Sequence, residues 1–318
     1  MRRLLFLAAA FALAAQAQTY PGKPARMLVG FAPGGPNDII ARAYAARLGE
    51  AFGAPFVVEN RTGAAGNLAA EAVARAAPDG TTLLLGSTST NAVNPWLYTN
   101  LGFDLVRDLA MVSLVATGNS ALAVNPGVPA KDVKELIALA RARPGRLTFA
   151  SSGTGSSLHL AGELFREMAG VDIVHVPYKG AAPAMTDLIS GQVDMSFAPV
   201  ANVVPLARAG KLRILGLTGE KPSALAPGTP SLAASGLPGF DVWTAYTILV
   251  TAGTPEAIVD RLHAELARIA RLPQLKDQLA AIGIDAEASA SPAEARAYRA
   301  AEMEKWGKVV RAIGLKAE

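Results

Sequence analysis

Apolar and polar positions follow two rhythms along the chain. Short unbroken apolar runs stop at glycines, and longer stretches carry an apolar residue every three or four positions. The plainest case comes early. Leu28-Val29-Gly30-Phe31 reads as a buried strand and ends at Ala32-Pro33-Gly34-Gly35; Ile40, Tyr44, Leu48 and Phe52 then share one helical face, stopped by Gly53. A second strand is predicted at 55–59, a helix from Asn67 through Ala76, and a third strand at 81–86 that opens into the polar loop Ser87-Thr88-Ser89-Thr90-Asn91. After a long apolar run at 111–124 the rhythm restarts. A helix at 131–142 and a strand at 147–150 lead to Ser151-Ser152-Gly153-Thr154-Gly155-Ser156-Ser157, and a helix carrying Leu160, Leu164 and Met168 ends at Gly170. Strands follow at 172–178, 193–197 and 212–217, then a second long run at 240–250 and a helical tail from Pro255 that closes with an amphipathic segment, Pro292–Ile313.

Residues 28–53 and 147–170 are one unit written twice: strand, glycine turn, helix, terminal glycine. Alternating strands and helices imply parallel sheets with their ligand-facing loops at the carboxyl ends of the strands. The run 111–124 is too long for one strand of a single sheet and is interrupted near Gly118-Asn119, so it is expected to cross from one sheet to another, with 240–250 crossing back. The predicted architecture is α/β with two lobes, each a βα sheet. One lobe comprises 18–124 plus 240–318, the other 125–239, and the last helix lies across the first lobe. A cleft between lobes is where small-molecule sites preferentially form.

A strand–turn–helix connection directs unpaired backbone N–H groups at one point, and the helix dipole adds positive potential there. Such a turn suits a carboxylate or phosphate. One Gly-Gly turn by itself favours a plain connection; the second copy shifts the reading to a ligand held between the two. On that reading Gly34→Val, Gly35→Val and Gly153→Val each weaken binding by at least tenfold, about 1.4 kcal/mol.

Composition narrows the class. Hydrophobic residues are 51% and charged residues 18% of 318, a well-cored globular chain. Arg2 and Arg3 precede an apolar run from Leu4 to Ala15, and Ala15-Gln16-Ala17 suits a signal-peptidase site, so 1–17 reads as a leader too short to anchor in a bilayer. Its loss removes both arginines and lowers the formal net charge from +4 to +2. No basic cluster interleaved with aromatics is present, which argues against nucleic acid. With no cysteine there is no lipid-anchor site, disulfide framework or thiolate nucleophile, and three scattered histidines make no metal signature. The expectation is an exported, periplasmic monomer without cofactor or metal.

The alternative is a hydrolase. His159 lies near Ser151, Ser152, Ser156 and Ser157 in sequence, and a Ser–His pair suits nucleophilic catalysis, although no G-x-S-x-G elbow or S-x-x-K pair occurs. His175 sits on an apolar strand and reads as a hydrogen-bonded core residue, and Lys179 after that strand reads either as an ion-pair partner or as solvated. A receptor returns its ligand unchanged and keeps binding after His159→Ala; a hydrolase loses activity.

Several motifs in order carry a resemblance. They are Phe31-Ala32-Pro33-Gly34-Gly35 with Asp38, Val58-Glu59-Asn60-Arg61 with Gly63 and Gly66-Asn67, Ala77-Pro78-Asp79-Gly80, Ser152-Gly153-Thr154-Gly155-Ser156 with His159 through Phe165, His175-Val176-Pro177-Tyr178-Lys179-Gly180, and Ala252-Gly253-Thr254-Pro255. The chain resembles the exported solute-binding proteins of tripartite tricarboxylate transporters, the Bug receptors, over nearly its whole length. That resemblance implies a two-lobed periplasmic binding protein fold, type II-like, closing on a small organic acid that is passed to membrane-embedded permease subunits. It implies ligand contacts at Phe31, Ala32, Pro33, Gly34, Gly35 and Asp38, at Ser87, Ser89 and Asn91, at Ser151, Ser152, Gly153, Thr154, Gly155 and Ser156, and at Tyr178, Phe197 and Ala198. Backbone amides and ordered waters are expected to hold a carboxylate. Three positions depart from the family pattern: Ala198 stands for an Asp, Asn91 for a loop His, and Ala245 for a Trp, with Trp243 two residues earlier. Loss of the Asp removes an acceptor for a ligand amine and disfavours amino acids.

Overall fold

β1 (Ala25–Val29), β2 (Phe56–Asn60) and β3 (Thr82–Ser87) run parallel with β1 in the centre. α1 (Pro36–Phe52) and α2 (Asn67–Ala74) connect them, and Gly53 ends α1 at φ 65°, a left-handed conformation that costs glycine nothing. The computed structural model describes residues 20–178 and 180–314; the predicted leader and Lys179 lie outside the described residues. The second copy of the unit is β5 (Thr148–Ser151), α5 (Ser157–Ala169) and β6 (Val174–Pro177), followed by α6 (Ala181–Ser190), β7 (Met195–Pro199), α7 (Val200–Arg208) and β8 (Arg213–Leu217).

β4 (Leu109–Val124) joins the two sheets. From Leu109 to Asn119 it pairs antiparallel with β9 (Trp243–Thr251), and from Ser120 to Val124 with β7, with β8 on its other side. The change of partner falls where Gly118-Asn119 interrupts the apolar run. Asn119 fixes the crossing: its Oδ1 accepts from Gly219 N–H at 3.0 Å and its Nδ2 donates to the Lys221 carbonyl at 3.1 Å. The two sheets share one order, three parallel strands and one antiparallel: β2-β1-β3-β9 and β6-β5-β7-β4. β10 (Ile284–Ala286) adds to β4 beside the crossing. α3 (Asn94–Leu97) follows β3, α4 (Val133–Ala142) precedes β5, and α8 (Glu256–Ala270) and α9 (Pro273–Ala280) lead from β9 to β10. The result is the α/β two-lobed fold that the alternation predicts.

One element departs from expectation. α10 (Pro292–Ile313) lies across both halves, not the first alone. Its Ala295 packs with Leu28 and Leu84 of the first sheet, while Trp306, Val309 and Val310 sit in a core with Phe149, Phe165 and Phe197 of the second. Ala92, Val93 and Leu97, which follow β3, join that same second core. The sequence pattern marked the helix as amphipathic; it did not say that the apolar stripe has two partners.

Candidate ligand cleft between two glycine turns

The first turn is built from its own helix. Gly35 caps α1 in an extended conformation, and Gly34 before it has φ 79°. Asp38 in the first helical turn reaches back: its Oδ2 accepts from Gly34 N–H at 3.0 Å and from Arg42 Nε at 2.9 Å. Asn60 at the end of β2 donates to Asp38 Oδ1 at 2.9 Å and to the Phe31 carbonyl at 3.0 Å. Arg42, together with these N–H bonds, holds the Asp38 carboxyl down at about 2. Asn60 and Gly66 of the sequence motifs thus support the turn from behind. Gly30 and Gly66 touch so closely that a Cβ on Gly30 would lie 2.3 Å from Gly66 Cα.

The second turn repeats the device with other chemistry. Ser156 caps α5 by accepting from His159 N–H at 3.2 Å. Gly155, at φ 79°, donates its N–H to Nδ1 of His159 at 3.1 Å. Ser151 Oγ lies 2.7 Å from His175 Nε2 and accepts from Gly153 N–H at 3.1 Å. His159 and His175 stack with centroids 3.8 Å apart, flanked by Phe149. Burial first, then the neighbouring His159 ring, lowers the His175 pKa to about 4. Burial pushes the Glu163 carboxyl up, but His159 and Arg166 outweigh it and its pKa is lowered. Arg166 Nη2 lies 2.7 Å from Glu163 Oε2, although off the direction of a hydrogen bond.

Between the turns lies a cavity of about 510 Å³. Gly34, Pro36 and Ile39 line it from the first turn, and Ser152 and Leu158 from the second. The crossing strands contribute Ser120, Thr244 and Tyr246, and the start of α7 contributes Asn202. Ile282 and Ile284 close one end, where a Cβ on Gly283 would lie 3.2 Å from the Ala201 Cβ. None of the described residues that line this cavity is Lys, Arg, Asp or Glu. Among the described residues, the N–H groups of Asn37 and Asp38 at the start of α1, and of Ser152 and Thr154 in the second turn, have no protein acceptor.

Of the residues expected at the ligand, Gly34 and Ser152 line the cavity. Ala32 and Pro33 are exposed at the tip of the first turn and Phe31 is half-buried beside Gly66. Gly35 has φ −80° and only ordinary room around its Cβ position, so no positive φ holds it to glycine. Asp38 is spent on the turn itself. Ser151 is buried under the turn, Gly153 and Thr154 form its outer part, and Gly155 packs on Leu97. Tyr178 donates its hydroxyl to Asp187 at 2.6 Å, which pushes its pKa up to about 12.

Two groups of the expected residues lie outside this cavity. In the loop at 87–91, Ser87, Ser89 and Asn91 are buried, the chain continues as a π-helical turn (Ser89–Val93), and Asn91 donates to Thr247 at 2.5 Å. Asn91 and Ala245 line a small void against Tyr298 and Glu302 of α10, on the far side of β9 from Tyr246 and the cleft. Phe197 and Ala198 are also buried, in the cores on the two faces of the second sheet; the strand meets the cavity two residues later than expected, at Pro199. Thr244, Tyr246 and the 281–284 loop were missed because neither carries a turn or charge signal; only the crossing of β4 and β9 brings them to the cleft.

The description "Tripartite tricarboxylate transporter family receptor" belongs to the family model that matches residues 40–315. The chain belongs to that family. BugT of Bordetella pertussis is 35% identical over 314 residues, covering 98% of this chain and 96% of that protein. A protein encoded in the tcbD-tcbE intergenic region of Pseudomonas sp. (strain P51) is 36% identical over 92% of this chain and 86% of its own length. Among solved structures, Rpa4515 of R. palustris with adipate superposes with a TM-score of 0.82 at 35% identity, covering 93% and 99% of the two chains. MatC (Rpa3494) from Rhodopseudomonas palustris with bound malate gives 0.78 at 31% identity, covering 92% and 100%. The family consists of transporter receptors, so this member is a receptor and not a hydrolase. The geometry agrees: His159 Nδ1 is occupied by Gly155, and Ser151, the serine that does meet a histidine, is 1% exposed.

Proposed function

We propose that this receptor captures a small organic acid between the two glycine turns, in the periplasm, and delivers it to the membrane permease subunits of its transporter. The carboxylate sits on backbone N–H groups at the start of a helix, where the dipole favours an anion, and the hydrocarbon body lies between Ile39 and Leu158. The observation that carries this reading is a 510 Å³ cavity bounded by both turns and lined, among the described residues, by no charged side chain. From the described residues a carboxylate there meets uncharged donors and no cationic clamp. Rpa4515 and MatC hold adipate and malate, both dicarboxylates, which supports an acid gripped at each end.

The lobes are proposed as 18–124 with 240–318, and 125–239, closing about β4 and β9. Thermal shift of the mature chain against mono-, di- and tricarboxylates, aromatic acids and amino acids tests the ligand class. A ligand at 100 times its Kd adds about 2.7 kcal/mol. Monocarboxylates that bind as tightly as their dicarboxylate analogues would remove the two-ended grip, and a best ligand without a carboxylate would remove the reading. Spin labels at the exposed Ala46 and Glu167 should move closer on binding.

A further inference from the structure

Two histidines shape the second turn and have no part in the receptor reading as it stands. Neither lines the cavity. His159 is 3% exposed, with its Nδ1 on Gly155 N–H at 3.1 Å and its Nε2 3.5 Å from Glu163 Oε1. His175 meets Ser151 Oγ, which also binds Gly153 N–H and the Gly153 carbonyl, both at 3.1 Å. Each ring therefore fastens one end of the turn, and the two rings stack on each other.

We propose that His159 and His175 are positioning residues for ligand capture, two neutral stacked imidazoles that hold the 151–155 turn in the shape that keeps Ser152, whose N–H has no acceptor among the described residues, in the cleft wall. A backbone N–H can only donate, so Nδ1 of His159 carries no proton and the ring is the Nε2–H tautomer. Glu163 beside Nε2 selects that tautomer, as a carboxylate does for an imidazole whose other nitrogen is engaged. Two imidazolium rings at 3.8 Å would repel each other, so the stack is built for neutral rings. Gly162 makes it possible: a Cβ there would lie 2.2 Å from the Phe149 ring, so only glycine lets α5 come down far enough for His159 to reach both His175 and the turn.

A histidine that merely fills space would need no acceptor at Nδ1. Asp38 supplies the contrast, since a side chain at the third helical position accepts from the N–H four residues back through a short Oδ reach. His159→Asn places an amide Oδ1 in the same role and abolishes the stack. A receptor indifferent to His159→Ala is therefore no longer expected.

The test has one arm without ligand and one with adipate, and the second alone rests on the carboxylate reading. In the ligand-free mature chain, imidazole ¹⁵N spectra should show Nδ1 of His159 unprotonated at pH 7; a protonated Nδ1 overturns the proposal. Amide exchange at Gly155 should rise about tenfold or more in His159→Ala and return to within about threefold of wild type in His159→Asn, with Gly34 unchanged in both. Equal exchange in wild type and His159→Ala overturns it too. Adipate affinity should fall at least about tenfold in His159→Ala and recover in His159→Asn; a drop of equal size in both variants means the ring only packs, and overturns it. If exchange responds as stated and adipate fails to bind wild type, the choice of dicarboxylate ligand is wrong and the positioning role stands.

Discussion

The two turns share a backbone and differ in everything behind it. In each, a glycine at φ 79° gives its N–H to the side chain of the third residue of the following helix. In the first turn that acceptor is a carboxylate paired with Arg42 and hydrogen-bonded by Asn60; in the second it is a neutral imidazole stacked on another. Their outer surroundings differ as well. A Cβ on Gly34 would meet nothing within 4 Å, whereas one on Gly155 would lie 2.5 Å from Leu97 Cδ1. One donor geometry can thus be imposed by a charge or without one, and the choice sets how each side of the cleft answers to crowding and to acid.

The sharpest way to break the pairing is steric. Gly155→Val combines positive-φ strain with a clash and should cost about 3 kcal/mol or more in denaturant unfolding; Gly34→Val carries strain alone, about 1–2 kcal/mol. Equal costs would mean that Leu97 yields freely. Gly35→Val, at φ −80°, should stay within about 0.5 kcal/mol. Next in size, Asp38→Ala should cost about 1–3 kcal/mol, because it strands the Gly34 N–H and the Asn60 amide. Chemical denaturation measures it, and Asp38→Asn, which keeps an acceptor for Gly34, should recover part.

Acid should separate the turns. His175 titrates at about 4 in the fold against about 6.5 free, so the unfolded chain binds the extra proton between those values. Its contribution is complete above about pH 6.5 and is lost as pH falls toward 4. Asp38, depressed from 3.8 to about 2, keeps its contribution until pH drops below 3.8. Amide exchange followed from pH 7 to 4 should therefore loosen Gly153 before Gly34. Both loosening together would refute the contrast. A small effect is also expected from Arg42→Met. That side chain is 55% exposed, and its ion pair should be worth less than about 1 kcal/mol by double-mutant cycle with Asp38.

How much of this was legible depended on whether a residue speaks through local pattern. The repeated unit, the crossing of 111–124 at Gly118-Asn119 and the two turns all follow from glycine placement and apolar spacing, and the structure has them where the pattern does. Ser87 and Asn91 read in sequence as donors for ligand oxygens; in the fold both are buried, and Asn91 lines a void between β9 and α10, a placement that no local pattern carries. Asp38 and His159 were noticed as polar residues near turns, but no periodicity shows that their side chains point backward. Ile282 and Tyr246 reach the cleft only through a tertiary crossing, which no local signal encodes.

The two-partner stripe of α10 has a consequence for the order in which the molecule is made. Chains emerge from the amino end, and units tend to fold as they appear. The second lobe is synthesised in the middle of the chain, yet its core holds Trp306, Val309 and Val310 from the last helix. When residue 239 has been made, the apolar face formed by Phe165 and Phe197 still lacks this cover. The middle of the protein therefore waits for its end, and a fragment stopping short of α10 should be an aggregating chain, not a smaller receptor.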